Sequence, residues 1–558
     1  MSRSLLSSLL LLCALPLTAQ TPAIPGLPEA ARKAADSISP DRISAHVRFL
    51  ANDLLEGRGP GQRGGEIAAQ YIATQFALNG LKPAGDNGTY FQRVPLYAVH
   101  TDEQKTRLAL VSHSGQRRDL AYTTEIVTKD QSGQSSAEID APIVFVGYGI
   151  HAPEYHWDDY AGIDLHGKIA LVIVNEPPSN DAKFFTGKAL TYYGRWTYKY
   201  EEAARRGALG VLLIHRTDLA SYGWEVVRNS QAIEKSYLEG DPLATLRAAS
   251  WITHPVAQEL FTMAGLGDLD QAIAKAGTPG AFHPVELPLR LSGHVESKVR
   301  RYVSANIVGY LPGSEDKGTE SRNAVFYTAH YDHLGIDPTA KEDGIYNGAA
   351  DNGTGCGVLL ELARVSAEAT ARPPHATYFA AVTAEEQGML GSQFLGMKPP
   401  IPAREIGLDL NFDMILPLGI PRSVNLGGAE RLSLWPTIQK VAKDFDLAIL
   451  PDPRPEAGSY YRSDHFSFAR TGIPAFSVDE GTLFEGHDEA WGRAQLEDFE
   501  EHHYHQPSDE WLPTWDFRGN AKLARFGLAL GWLVSAQPSA VAWQPGDEFE
   551  AARKQSER

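Results

Sequence analysis

Six short stretches place imidazoles and carboxylates where an apolar run stops. They are HYDH (His330, Asp332, His333), ADNG (Asp351), AEE (Glu385, Glu386), NFD (Asp413), SDH (Asp464, His465) and YHQPSD (His505, Asp509). Imidazole nitrogen together with carboxylate oxygen is a donor set for zinc and similar divalent cations. A single acid at a strand end is ordinary, because carboxylates are comfortable in water. Two histidines and several carboxylates converging from separate elements need more, since like charges repel, and a pair of metal ions sharing one carboxylate cancels that charge. The neighbours Glu385 and Glu386 fit such a scheme. Adjacent side chains on an extended chain diverge, so one can ligate metal while the other serves as base toward a polarised water, the arrangement hydrolysis requires. A solvated helix N-terminus, where acids favour the dipole, is the other reading of this pair.

The elements that must position these residues alternate. AVFYTAHYD, HATYFAAVT, REIGLDLNFDMI and GIPAFSVD read as strands, and CGVLLELARVSAE, LWPTIQKVAKDF and KLARFGLALGWLVSA as amphipathic helices. This alternation predicts an α/β fold with a mixed, mostly parallel sheet flanked by helices. In open α/β sheets ligands collect beyond the carboxyl ends of the strands, where the polar residues fall. Upstream, ISAHVRFLANDLL and GEIAAQYIATQFALNGL carry helical periodicity, the second ending on Gly80. From about residue 138 the texture changes to APIVFVGYGI, GKIALVIV, the helix-like YKYEEAARRGALG and VLLIH, a smaller α/β module. The expected organisation is 1–20 signal peptide, 21–135 first part of the catalytic unit, 136–295 inserted module, 296–545 catalytic unit and 546–558 polar tail. The aromatic stretch 184–200 is expected in the module's core.

The chain has 558 residues with 51 basic and 69 acidic side chains, net charge −18, and 43% hydrophobic residues, enough for a large core. An acidic balance without a basic block excludes nucleic acid as a partner. MSRSLLSSLLLLCALPLTAQT has an early Arg3, an apolar run too short to span a bilayer and small residues at Thr18 and Ala19, a secretory signal that predicts a secreted or periplasmic protein. Its removal leaves Cys356 as the sole cysteine, so no intrachain disulfide is expected. No later apolar run is long enough to predict a membrane span.

HYD at 330–332, ADNGTG at 350–355, AEEQGMLGS at 384–392, NFDMI at 411–415, SDH at 463–465 and YHQPSD at 504–509 resemble, in order and context, the motifs of secreted co-catalytic dizinc aminopeptidases, relatives of glutamate carboxypeptidase. LEGRGPGQRGGEIAAQYIATQFALNGLKP resembles that family's opening segment. VFVGYGI, DDYAGIDLHGKIALV and AARRGALGVLLIH resemble the protease-associated (PA) domain often inserted in such peptidases. The resemblance implies two zinc ions bridged by Asp351, with His330 and Asp413 completing one site and Glu386 and His505 the other. It implies Glu385 as general base, His465 as donor to the developing oxyanion, Asp332 orienting His330 from behind and Asp509 doing the same near His505. His333, His502 and His503 are expected at the surface or behind the ligands. The implied activity is removal of N-terminal residues from peptide substrates. A carboxypeptidase acting on acidic peptides, with Arg462 to hold the substrate carboxylate, and a catalytically inactive binding homologue are the alternatives.

Overall fold

The computed structural model describes residues 21–220, 222–315 and 322–556; the expected signal segment, residues 1–20, lies outside them. Helix α1 (Pro40–Leu50) opens on a proline, with the Ser39 hydroxyl accepting from the Arg42 amide, and buries Ile43, Val47 and Leu50 along one face. Helix α2 (Arg63–Leu78) buries Ala69, Ile72 and Phe76 and stops before Gly80, whose φ of +73° suits the residue after a helix. There follow strands β1 (Phe91–Thr101), β2 (Ile126–Lys129), β3 (Ser136–Phe145) and β4 (Ile169–Ile173), helix α3 (Trp196–Arg205), then β5 (Gly210–His215), β6 (Lys235–Leu238), β7 (Ala248–Thr253), β8 (Val285–Leu311) and β9 (Ala324–His330). Next come α4 (Gly355–Glu368), β10 (Thr377–Val382), α5 (Leu390–Met397), β11 (Ile406–Asn411), α6 (His465–Arg470), β12 (Ala475–Ser477) and α7 (Arg518–Ser535).

The strands hydrogen-bond in the order β12-β11-β9-β10-β8-β3-β4-β5-β7-β2, with β1 on β8 and β6 on β1. β9 lies parallel to both β10 and β11, and β12 is parallel to β11. All residues of β9, β10 and β11 are buried, which explains their unbroken apolar runs: helices cover both faces. On one face Val325, Tyr327, Phe379 and Phe412 pack against α1, α2, α4 and α7; on the other Phe326, Tyr378 and Ala380 meet Phe468 and Ile473. A second core surrounds β3, β4, β5 and β7, with Ile143, Leu171, Leu212 and Ile252 on one face and Val144, Val172, Val211 and Trp251 on the other. Phe185, Tyr193 and Tyr198 of the aromatic stretch are buried in it.

β8 belongs to both cores. Its first half pairs with β3, residues 297–307 pair with β1, and residues 307–311 pair with β10. The boundary expected between residues 295 and 296 therefore falls inside one strand. The end of the chain also departs from a solvated tail: Phe549 is buried in the first core, and buried Arg553 donates to the Ala403 and Ile406 carbonyls. No helix among the described residues is long and apolar enough to cross a membrane.

Candidate metal centre

Three adjacent parallel strands deliver most of the centre. β9 ends on His330; β10 ends two residues before Ala384, whose φ of +54° turns the chain into Glu385 and Glu386; β11 ends two residues before Asp413. Asp351 arrives at the amino end of α4, where the Asp509 carboxylate accepts from the Ala350 amide at 2.8 Å and the Asp351 amide at 3.0 Å. The preceding turn needs Gly348: its φ is +59°, and a Cβ there would lie 2.3 Å from the Asp351 carbonyl oxygen and 2.6 Å from the His333 ring. Gly353 of the DNG run is not at a positive φ; the left-handed residue of this turn precedes Asp351.

The donor atoms fall into two sets. His330 Nε2 stands 3.2 Å from Asp351 Oδ1 and 3.1 Å from Asp413 Oδ1. His505 Nε2 stands 3.2 Å from Asp351 Oδ2 and 3.1 Å from Glu386 Oε2. Donors bound at about 2.0–2.1 Å to a tetrahedral zinc stand about 3.3 Å apart. Each set therefore has the edge length of a coordination shell, and Asp351 gives one oxygen to each. His330, Asp351 and Glu386 also lie close enough together to hold a single ion. The donor chemistry and spacing fit zinc.

The partners of these residues differ in part from expectation. His330 Nδ1 lies 3.2 Å from the Asp332 backbone carbonyl and 3.9 Å from its carboxylate, which instead accepts from the Glu385 amide at 3.2 Å. The carbonyl thus orients His330, and the carboxylate fixes the turn carrying Glu385. Asp509, expected beside His505, holds the Asp351 amide because the loop after His505 folds under α4. His333 is buried outright, with Nδ1 2.7 Å from Glu386 Oε1. His502 is exposed and His503 is bound to Ser508, so of that crowded trio only His505 reaches the carboxylates. His465 is not brought to the cluster. It opens α6 with its ring 4.7 Å from that of Tyr460, neither nitrogen hydrogen-bonded, and burial pushes its pKa down to about 3.

Two residues that sequence reasoning left without a role belong here. Asp464 is fully buried with neither carboxylate oxygen hydrogen-bonded, and burial raises its pKa to about 7, opposed by His330 and reinforced by Asp413. Tyr504 stacks on His505 at 3.9 Å, and its phenol feels Asp351, Glu386, Glu385 and Asp413. Its adjacency to His505 in a histidine-rich loop was the available signal.

Burial pushes Glu385 well above the usual carboxylate range, opposed by His330 and assisted by Asp464, Glu386 and Asp413; its carboxylate has no hydrogen-bond donor among the described residues. Burial acts on Glu386 in the same direction, but the hydrogen bond with His333 and the close His505 ring outweigh it and hold Glu386 low. Burial acts to lower His505, and the close Asp351 and Glu386 carboxylates override this and raise it to about 10.

Residues 306–522 match peptidase family M28. Leupeptin-inactivating enzyme 1 of Streptomyces exfoliatus is 25% identical over 320 residues, 55% of this chain and 65% of that protein. Aminopeptidase YwaD of Bacillus subtilis (strain 168) is 28% identical over 212 residues, 37% of this chain and 39% of that protein. The chain thus spans less than two thirds of the length of these curated relatives. Among solved structures, an aminopeptidase from Aneurinibacillus sp. strain AM-1 aligns with 93% of this chain and 98% of its own at 18% identity and a TM-score of 0.46. The segment that matches peptidase family M28, residues 306–522, carries every donor of the centre.

Proposed function

We propose that this chain is a secreted or periplasmic zinc aminopeptidase that removes N-terminal residues from peptides. The observation that carries the reading is the pair of donor sets sharing Asp351, with an unpartnered Glu385 beside them. His330, Asp351 and Asp413 would hold one zinc, and Asp351, Glu386 and His505 a second. Bound zinc supplies Lewis acidity, polarising the scissile carbonyl and making a water acidic enough to lose its proton near neutral pH. Glu385 is the base that takes that proton and passes it to the leaving amine, since its buried carboxylate has a high proton affinity and nothing else to bind. His333 fixes Glu386, and Asp332 fixes the Glu385 turn. The Tyr504 phenol, overhanging the carboxylates, is better placed than the enclosed His465 to donate to the developing oxyanion. Carboxylates around the centre favour a substrate ammonium, which selects a free N-terminus. Residues 136–295, built on the second core, are read as a PA module beside the cleft.

The test compares wild type with Glu385→Gln for metal content and for hydrolysis of leucine p-nitroanilide and N-acetyl-Leu-Ala. We expect about two zinc ions per chain in both proteins, rapid nitroaniline release by wild type only, with a loss of about 10²–10⁴-fold in the variant, and no cleavage of the acetylated peptide. Release of alanine from N-acetyl-Leu-Ala would replace the aminopeptidase reading with the carboxypeptidase one. Zinc binding without hydrolysis of any peptide would leave a binding protein.

A further inference from the structure

The turn that carries Glu385 and Glu386 has a cation standing over it that comes from another part of the chain. Lys235 opens β6, which pairs with the outer edge of β1 in the register Lys235 to Val99. Its Nζ lies 3.6 Å from where a Cβ on Gly388 would sit. Gly388 is tied to the base, since its amide and that of Met389 both donate to the Glu385 carbonyl oxygen at 2.7 Å. Lys235 is half-buried, and Glu385 is the charged group that acts on it most. It has no hydrogen bond, and no carboxylate lies within 4 Å of it among the described residues.

The carboxylates near Lys235 are already engaged. The adjacent Glu234 is taken by Arg300 at 2.6 Å, Glu239 pairs with Arg301 at 3.3 Å, and Asp241 accepts from the Gln393 side chain at 3.0 Å. Lys129, also buried nearby, spends its ammonium on the Gln231 and Ile233 carbonyls. Beside this turn Lys235 has no matching charge in contact among the described residues, and a half-buried ammonium without a partner is costly to keep.

Direction within the cleft follows from the chemistry of the base. A group that hands its proton to the leaving amine sits beside the residue that follows the scissile bond, so a cation beyond that group faces this residue and not the substrate's N-terminus. An ammonium at that position would be repelled and a carboxylate attracted. Building on the aminopeptidase reading, we propose that Lys235 binds a carboxylate on the leaving-group side of the scissile bond. That carboxylate is either the C-terminus of a dipeptide or the side chain of an Asp or Glu that follows the bond.

The test uses four substrates with a common N-terminal leucine: Leu-Ala, Leu-Ala-amide, Leu-Glu-amide and Leu-Gln-amide, with zinc-loaded wild type, Lys235→Met and Lys235→Arg. In wild type kcat/KM should favour Leu-Ala over its amide, or Leu-Glu-amide over Leu-Gln-amide, by about tenfold or more, the worth of a charge-assisted hydrogen bond. The pair that discriminates identifies which carboxylate is bound. Lys235→Met should collapse that ratio to near one, chiefly through KM, and Lys235→Arg should restore most of it. Equal rates on all four substrates in wild type overturn the proposal and leave the aminopeptidase intact. A Lys235→Met variant that slows every substrate alike, keeps the ratio and shifts the pH profile also overturns it, because Lys235 then acts on Glu385. Failure of wild type to cleave any of the four removes the aminopeptidase reading and this proposal with it.

Discussion

Glu385 and Glu386 share a residue type and a backbone turn, yet the molecule treats them oppositely: His333 and His505 hold Glu386 as an anion, while Glu385 is left without a donor in a buried, acidic setting. Side-chain type and position after a strand made the donors legible in the sequence. The division of labour between the two glutamates was not, because it depends on His333 being buried, and no local pattern separates a buried histidine from an exposed one three residues past a strand. The same holds for Glu480, which carried no signal. It is buried, with one oxygen accepting from the Leu416 amide at 2.9 Å and the other unpartnered, and burial raises its pKa from an ordinary 4.5 to about 8. Between those two values the folded chain keeps a proton that the unfolded chain has released. The stability this group contributes is therefore complete below about pH 4.5 and lost as pH rises toward 8. Glu480→Gln, permanently neutral, should lose less stability than wild type from pH 5 to pH 8. The gap between the two should widen by at most about 1.4 kcal/mol per pH unit. Urea midpoints at pH 5, 6.5 and 8 measure it, and parallel curves would mean that Glu480 is ionised in the fold.

The elements explain why residues from 330 to 505 meet at all. β9, β10 and β11 run in parallel side by side, so their carboxyl ends lie together, and the strand–helix alternation announced this. What alternation could not announce is the tie that holds the loops between them, because it comes from the LEGRG segment far upstream. Arg58 is fully buried, and its guanidinium donates to the carbonyls of Tyr331 at 2.7 Å, Leu50 at 2.7 Å, Asn347 at 2.5 Å and Gly348 at 2.8 Å. It thereby clamps the turn after β9 to the turn before Asp351. Arg58→Met would keep much of the volume and leave three buried carbonyls, those of Tyr331, Leu50 and Asn347, without donors, while Gly348 keeps the Gly353 amide. Each such orphan costs about 1–3 kcal/mol before relaxation, so we expect a loss of about 3 kcal/mol or more in chemical denaturation. Zinc affinity, measured by chelator competition, should weaken with it, because Asp351 loses its fixed position. Unchanged stability and zinc affinity would show that the two turns hold their shape without the clamp.

For the molecule as a whole the question is whether the two cores respond to metal together. The sequence suggested seams near residues 136 and 296, but β8 crosses the second as one strand, pairing with β3 before it and with β1 and β10 after it. Other ties cross it too. Arg470 at the end of α6 pairs with Glu201 of α3 at 2.8 Å, Tyr192 packs on Phe466 at 5.0 Å between ring centres, and the Leu190 amide donates to the Pro455 carbonyl. These contacts connect the second core to the segment that carries Asp464 and His465, beside the carboxylates. Removing metal leaves Asp351, Glu385, Glu386 and Asp413 close together with only the histidines to offset their charge. A ligand that binds only the folded chain contributes about 4 kcal/mol at a thousandfold excess over its dissociation constant. Chelation should therefore lower the melting temperature of the whole chain by several degrees in one calorimetric transition, and zinc should restore it. Hydrogen exchange should show protection falling in β3 to β5 as well as in β9 to β11, since an opened first core releases β8 and with it the ladder to β3. A chelated protein in which one transition moves down and a second stays fixed, with β3 to β5 still protected, would mean that the cores unfold independently despite the shared strand.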